Sequence, residues 1–171
     1  YSKRLFLSKT FRFSKETAFL SNKFIQKNPN QEKKQITSDV SYIKPVRPVF
    51  KEDENDLSIH LKVLEYANNF GINNSKTAEV LVLNRYKFQS IRSRYNKLKR
   101  LANKYGNVNL KCKTIHSQKG VEADFVIIDD VIAGSTGFPN RMGEDSVLKM
   151  LLEMSENFQD AEERRLFYVA L

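Results

Sequence analysis

The run Val80-Leu81-Val82-Leu83 decides the fold class, and a second run, Phe125-Val126-Ile127-Ile128, supports it. Each run is continuously apolar and of strand length, which is typical of a central strand buried on both faces of a parallel sheet. Residues 90–105, between the two runs, carry apolar side chains at helical spacing. Because strands and helices alternate in this way, the sequence predicts an α/β domain with a mostly parallel β-sheet flanked by helices.

Residues that commonly cap or end helices predict further elements before and after these two strands. Ser14 is a good N-cap for a helix over residues 15–26, and Asp56 caps a second helix that Gly71 stops. A strand over residues 109–115 precedes the second apolar run. The remaining predicted elements are short, and they are a strand at residues 5–7, an edge strand of Val46, Val49 and Phe50, a loop over residues 133–141, a helix over residues 146–154 and a last helix capped by Asp160.

The charge is positive and unevenly distributed. The 171 residues contain 29 Lys and Arg against 20 Asp and Glu, a net charge of +9. Residues 1–113 carry 24 basic and 9 acidic side chains, a balance of +15, whereas residues 114–171 carry 5 and 11, a balance of −6. This excess of cations indicates a polyanionic partner such as nucleic acid.

The cysteine and histidine counts exclude two classes of site. One cysteine, Cys112, forms no internal disulfide and no Cys-based zinc site, and two histidines are too few for a His cluster. We therefore expect a reducing, cytoplasmic setting. The sequence has no apolar run of about 20 residues, so we expect no membrane span. It starts without Met and stops in mid-pattern, and we interpret it as an excised piece of a longer protein.

Groups suited to phosphate follow the predicted strands. In open α/β sheets, ligands bind at the carboxyl ends of the strands. The residues placed there are Phe11 and Arg12, Arg85 and Tyr86, then His116, Lys119, Gly120 and Glu122, and finally Asp129 and Asp130. Cationic side chains and backbone amides near Gly120 favour an anionic ligand.

Each of these residues also has an ordinary structural interpretation. Arg12 alone is more often a surface residue, and His116 alone is more often a hydrogen-bonded turn residue. Asp129-Asp130 is usually a solvated strand end, and the alternative is a pair of metal-binding acids. The basic helix around Lys97 is more often a solvated face than a nucleic-acid contact, although the span from Arg85 to Lys113 has ten basic residues and no acidic one.

Three segments in this order resemble motifs IV, V and VI of the UvrD/Rep group of superfamily 1 helicases. They are Thr10-Phe11-Arg12-Phe13-Ser14, then Thr114-Ile115-His116-Ser117-Gln118-Lys119-Gly120-Val121-Glu122-Ala123-Asp124, then Ala161-Glu162-Glu163-Arg164-Arg165-Leu166-Phe167-Tyr168-Val169-Ala170-Leu171. The resemblance spans nearly the whole chain and is weakest between Gln31 and Asp56. It implies that residues 1–171 are a single RecA-like domain, the C-terminal one called 2A, truncated within motif VI.

The resemblance also implies roles for individual residues. Phe11 stands where the family usually has an adenine-stacking Tyr, and Arg12 matches the motif IV arginine that reaches the γ-phosphate. Glu122 matches a carboxylate near the nucleotide sugar, and Arg165 lies in motif VI on the nucleotide side. The expected DNA-binding set is Thr114, His116, Lys119 and Arg85. The implied cofactors are ATP and Mg²⁺, and the implied partners are single-stranded DNA and the N-terminal RecA-like domain of the same parent protein.

The sequence departs from the family pattern in three places. It contains no Gly-x-x-x-x-Gly-Lys-Thr loop and no Walker B strand end, so we expect the Mg²⁺ ligands upstream and no ATPase activity from this chain alone. The phosphate-contacting arginine of motif VI is expected beyond Leu171. Many relatives insert an accessory 2B domain ahead of motif V, whereas here residues 89–110 fill that position and predict one helix.

The resemblance implies the motor domain of an ATP-dependent DNA helicase, translocating 3′-to-5′ as the family does. Two alternatives stay open at this point. One is the helicase half of a recombination nuclease subunit, which has the same fold. The other is a non-catalytic, helicase-like module that binds nucleic acid or polymerase. An intact Walker A lysine upstream would favour an enzyme.

Overall fold

The computed structural model describes residues 8–32, 35–42, 46–53, 56–86, 89–118, 120–134, 137–140 and 160–171. Its elements, in chain order, are α1 (Lys15–Ile25), α2 (Ser58–Asn73), β1 (Ala78–Asn84), α3 (Gln89–Ala102), β2 (Val108–Thr114), a 3₁₀ turn (Ile115–Gln118), β3 (Phe125–Ile128) and α4 (Ala161–Ala170). The chain divides into two compact units, one built around α1 and α4 and one that contains the sheet. The single-domain organisation stays a prediction.

The sheet of the second unit has three parallel strands in the order β2-β1-β3. β1 is the central strand, and Val82 pairs with Cys112 of β2 on one side and with Ile127 of β3 on the other. Its residues from Val80 to Leu83 are at most 2% exposed, so both faces of the strand are covered. The α/β class and the parallel sheet predicted from the two apolar runs are confirmed, and the arrangement is consistent with a RecA-like fold.

The core lies between one face of the sheet and helices α2 and α3. Its buried residues are Leu64 and Ala67 of α2, Ala78, Val80 and Val82 of β1, and Tyr95, Leu98 and Ala102 of α3. Apolar residues of both outer strands pack against this cluster, as do Phe70 and Leu61 of α2. Phe70 and Tyr66 each meet Phe125 edge-to-face, with ring centroids 5.4 and 5.8 Å apart.

The second helix differs at both ends from its prediction. It begins at Ser58, and Asp56 lies two residues earlier, where its carboxylate accepts from the Ser58 backbone N–H at 2.8 Å. It continues through Gly71 to Asn73, so the prediction that Gly71 stops it is wrong. Gly71 is buried, and a Cβ there would lie 2.7 Å from the carbonyl oxygens of both Lys76 and Asn107. The glycine is therefore required by a close backbone approach inside the helix.

Three other predictions are wrong or fall outside the described residues. Residues 46–50 form no strand, and Phe50 is 97% exposed, because no strand in the described part of the chain pairs with this segment. The edge-strand prediction is therefore wrong. The strand predicted at residues 5–7 and the helix predicted at residues 146–154 lie outside the described residues.

The first unit is organised by α1, whose N-cap is Ser14 as predicted. The Ser14 hydroxyl accepts from the Thr17 backbone N–H at 3.2 Å. α4 packs on this helix through an aromatic contact between Phe24 and Phe167, whose centroids are 5.0 Å apart. None of the helices in the described ranges combines the length and the apolar character needed to cross a bilayer.

We predict that Gly71→Ala destabilises the fold by about 1–3 kcal/mol, the usual cost of overpacking. The added methyl group would press on two backbone carbonyls, which cannot move without displacing the start of β1. Gly106→Ala is the matched control, because a Cβ at Gly106 meets nothing within 4 Å. Urea denaturation of the two variants measures the difference, and equal stability would contradict the close-approach role of Gly71.

Candidate nucleotide and nucleic-acid contacts

Phe11 and Arg12 lie in an exposed bend of the first unit. A backbone bridge between Lys9 and Thr37 fixes the bend on one side, and the cap of α1 fixes it on the other. The Phe11 ring is 77% exposed, and its one described ring contact is the Lys9 ammonium, 5.4 Å from the centroid. An aromatic ring and an arginine are thus presented together on a backbone held at both ends.

Arg164 and Arg165 lie on α4 with different surroundings. The Arg164 guanidinium stacks over Phe24 at 5.4 Å and so contributes to the contact between α4 and α1. Arg165 is exposed, and its Nε donates to the side-chain oxygen of Gln31 at 3.4 Å. The structure therefore gives Arg164 a packing role and leaves the Arg165 side chain at the surface of the first unit.

Arg85 and His116 meet at the carboxyl edge of the sheet, as the strand order predicts. Arg85 follows β1 and donates from Nη1 toward the His116 ring at 3.3 Å. The same guanidinium stacks on Tyr86 at 4.8 Å from the ring centroid. Tyr86 is held in turn by a hydrogen bond between its hydroxyl and the Asn140 side chain. The two predicted DNA-binding residues on neighbouring strands therefore form one polar contact.

Thr114 ends β2 and starts the turn that carries His116. Its hydroxyl and the Ser117 hydroxyl are 3.0 Å apart, and the Ser117 backbone N–H points back to the threonine oxygen at 3.3 Å. Gly120 follows with a φ of +82°, the left-handed conformation that glycine tolerates, so the predicted sharp turn is present. Lys119, the remaining predicted DNA-binding residue, lies outside the described residues.

Glu122 lies in the connection that returns from this turn to the start of β3. Two residues later, the Asp124 backbone N–H donates to the carbonyl of Glu79 at 2.9 Å, at the amino end of β1. Asp124 also accepts from Lys76 at 2.5 Å. The sequence placed Glu122 at the carboxyl edge with His116, and in the structure this exposed residue lies on the connection back from that edge, two residues before the backbone contact of Asp124 with Glu79.

Asp129, which the sequence left as a solvated strand end or a metal ligand, is neither. It is 4% exposed, and both of its carboxylate oxygens lie within 3.0 Å of His60 Nε2 on α2. Lys51 Nζ and Arg94 Nη2 approach it at 3.9 and 3.7 Å. The Asp129 carboxylate, just after β3, is therefore surrounded by three side chains that are cationic or form hydrogen bonds.

The Asp130 carboxylate connects the end of β3 to α3 and to β1 through hydrogen bonds. Arg94 makes a two-pronged contact with its carboxylate, at 2.6 and 3.3 Å, and Asn84 donates to it at 2.6 Å. The Asn84 side-chain oxygen then accepts from the Tyr86 backbone N–H at 3.0 Å. We call Asp129, Asp130, His60, Arg94 and Asn84 the buried ionic cluster, and Asn84 connects it to Arg85, the next residue in the chain.

The sequence did not predict this cluster, although one signal for it was present. Two aspartates after an apolar strand mark the place, but His60 lies 69 residues away in sequence and Arg94 looked like one more member of a solvent-facing basic helix. The structure corrects that expectation, since Arg94 is 8% exposed. Within the described residues, no group of three or more His, Cys, Asp or Glu side chains is placed to hold a metal ion.

The environment of Asp129 sets the direction of its titration. Burial alone would raise the pKa of this carboxyl, but the His60 hydrogen bond and the charges of His60, Lys51 and Arg94 outweigh burial and lower the pKa. A carboxyl whose pKa is lower in the folded state stabilises the fold above its unfolded pKa of about 3.9, and this contribution is lost as the pH falls through the folded value.

We predict that Asp129→Asn destabilises the protein by about 3–5 kcal/mol at pH 7, the usual cost of leaving buried cationic partners without their counter-charge. Urea denaturation from pH 7 to pH 3 measures the loss, which shrinks as the pH falls below about 4, because the unfolded chain then binds a proton at Asp129 that the folded protein does not yet bind. Asp124→Asn is the control, since its more exposed pair with Lys76 is worth about 1 kcal/mol or less. Equal losses in both variants would show that the Asp129 cluster contributes no more than a surface pair.

The comparisons with known proteins give one relative. DNA helicase IV of Escherichia coli (strain K12) is 35% identical over 165 residues, which cover 96% of this chain and 22% of the helicase. This similarity extends over nearly the whole chain and supports the motif resemblance to UvrD/Rep-type helicases. No protein-family model and no solved structure matches the chain.

This chain spans about a fifth of the length of that helicase. The similarity therefore supports a family relationship for these residues, while the place of the chain in a whole protein is a separate question. The nucleotide-facing candidates Phe11, Arg12 and Arg165 belong to the first unit, and Arg85, Thr114, His116 and Glu122 belong to the second.

Proposed function

We propose that this chain is the C-terminal RecA-like (2A) motor domain of an ATP-dependent DNA helicase that translocates 3′-to-5′. The 35% identity to DNA helicase IV over 96% of the chain carries this proposal. In this role the chain supplies half of an ATP site and part of a track for single-stranded DNA. The N-terminal RecA-like domain of the same parent protein supplies the other half.

The proposed nucleotide contacts are Phe11, Arg12 and Arg165 in the first unit, and the motif resemblance adds Glu122 of the second unit. Bound ATP supplies an adenine ring and a triphosphate, and the groups present fit these two chemistries. The exposed Phe11 ring offers a face for stacking, and Arg12 beside it offers a planar donor for phosphate oxygens. Both side chains are presented by a bend whose backbone is fixed, so little ordering is required when they bind.

The Mg²⁺ ligands of this enzyme are proposed to belong to the other RecA-like domain. The two aspartates that follow β3 are engaged within the protein, since Asp129 and Asp130 are paired with buried His60 and Arg94. The residues of this chain therefore bind and orient phosphate rather than hold the metal.

The DNA half is formed at the carboxyl edge of the sheet, where Arg85, Thr114 and His116 lie, and the sequence adds Lys119 to this set. The Arg85 guanidinium and the exposed His116 ring offer donors to a phosphate oxygen. Tyr86 supports Arg85 from one side, and the turn of Thr114 with Ser117 supports His116 from below. The edge thus presents positioned donors that do not depend on the base sequence of the strand.

The two halves are proposed to work as a cycle. When Arg12 and the motif VI region engage the γ-phosphate, the RecA-like domains close, and when hydrolysis removes that phosphate they open again. The turn from Thr114 to Gly120 follows this movement and advances the DNA strand. The energy for directed movement comes from the difference in phosphate contacts between the closed and open states.

We predict that Arg12→Ala in the full-length protein lowers ATP turnover by about 10³-fold, the effect of losing a transition-state arginine. Thermal stability should change little because Arg12 is exposed. Steady-state ATPase assays and thermal unfolding are the two measurements. Arg47→Ala is the control, since Arg47 is an exposed arginine of the same unit that has no predicted role. A large loss of stability with normal turnover would place Arg12 in a structural contact instead.

We predict that His116→Ala weakens the coupling between DNA and ATP more than it weakens either binding event. The His116 ring contacts Arg85 across two strands, so its loss should uncouple the strand ends from the turn. The measurement is the ATPase rate of the full-length protein as single-stranded DNA is titrated. Asn109→Ala, near the opposite end of β2, is the control. A full DNA-stimulated rise with normal unwinding would make His116 only a turn residue.

A further inference from the structure

The exposed side of α3 carries an unusual concentration of positive charge. Its side chains Arg92, Lys97, Lys99 and Arg100 are exposed, as is Lys104 in the turn that follows. At about 100° per residue these five lie within an arc of roughly 160°, and the core residues Tyr95, Leu98 and Ala102 occupy the opposite arc. We call the five cations the α3 basic face.

The α3 basic face has no counter-charge of its own. None of its five cations forms an ion pair with another residue in the described part of the chain, and no acidic residue occurs between Arg85 and Lys113. Three other cations of the same unit, by contrast, are paired with acids. The matched pairs are Lys76 with Asp124, Lys111 with Glu79, and Arg94 with Asp130.

Folding does not require this arrangement. Arg100 and Lys104 are four residues apart, and Lys97 and Arg100 are three apart, spacings at which like charges repel across a helix surface. The favourable contact with the helix C-terminus is available to Lys99 and Arg100 in the last turn, but not to Arg92 or Lys97. The charge on this face is therefore best explained by a ligand.

The chemistry of the face points to a phosphate backbone rather than to unpaired bases. Proteins that bind single strands stack bases on aromatic rings, and the exposed side chains of α3 from Arg92 to Arg100 are Arg, Lys, Ser and Asn. Arg92 and Arg100 are separated by about 12 Å of helix axis. A DNA duplex carries about seven phosphate charges over that length, enough to face every cation on the helix.

We propose that the α3 basic face binds the phosphate backbone of double-stranded DNA. α3 starts just after Arg85 and Tyr86 at the carboxyl edge of the sheet and ends just before β2 begins at the opposite edge. The face therefore starts beside the proposed DNA edge and leads away from it. Binding here requires neither ATP nor the Arg85 and His116 contact. An experiment can therefore refute this inference without refuting the proposed helicase activity, and the reverse is also true.

The test is the salt dependence of binding to a fluorescein-labelled 20-base-pair duplex, followed by fluorescence anisotropy. The variant combines Lys97→Gln, Lys99→Gln, Arg100→Gln and Lys104→Gln. The matched control removes the same net charge from exposed lysines elsewhere, by Lys15→Gln, Lys23→Gln, Lys27→Gln and Lys62→Gln. Circular dichroism confirms that both remain folded, as expected for surface changes that remove like-charge repulsion.

The α3 variant should lose about 0.9 from the slope of log K against log salt for each phosphate contact removed, or about 3–4 in total. The control should lose less than about 1. A second measurement needs no variant: the duplex should protect Lys97, Lys99 and Lys104 from acetylation while Lys15 and Lys62 stay reactive.

Three outcomes would overturn the proposal. Equal losses in the two variants would mean that the net charge of the chain attracts DNA without a dedicated face. Acetylation at Lys97 and Lys99 that the duplex does not reduce would place the DNA elsewhere. Unchanged duplex binding with lost binding to phosphatidylserine vesicles would make the face a membrane-binding surface.

Discussion

The burial of β1 on both faces is the constraint on which the rest of the sheet unit depends. A strand with no exposed face must consist of apolar residues, and it must be flanked by strands on both edges and covered by packing elements. α2 and α3 cover one face through Leu64, Ala67 and Leu98. The fully buried residues from Val80 to Leu83 are all apolar, and polar side chains follow them where the strand ends, at Asn84 and Arg85. The carboxyl edge is therefore the place where this unit can present chemistry.

The sequence predicted what periodicity and capping determine. The two apolar runs became β1 and β3, and Ser14 caps α1 as expected. The features that the sequence did not predict depend on contacts between residues that are far apart in the chain. Gly71 looked like a helix stop because glycine commonly ends helices, but its actual reason is a carbonyl of Asn107, 36 positions later. No local pattern contains that information.

The same limit explains the candidate site. Helical periodicity separated the two sides of α3, yet it could not identify Arg94 as the one buried cation in a basic run, because its partners Asp129 and Asp130 come from another strand. Glu122 was expected beside His116, since both belong to one sequence motif. A parallel sheet forces the chain to return to the amino edge before β3, and Glu122 lies on that return, two residues before the backbone contact of Asp124 with Glu79.

The buried ionic cluster gives the carboxyl edge its rigidity. Arg94 binds Asp130, Asp130 binds Asn84, and Asn84 accepts from the Tyr86 backbone, whose ring supports Arg85. Each step is a directional hydrogen bond or a stacked contact, and most are shielded from water, where such contacts are strong. An arginine that must meet phosphate repeatedly benefits from this support, because little side-chain entropy is lost at each encounter. Burying four of these side chains, all except that of Asp130, costs free energy, and in return the edge holds one geometry.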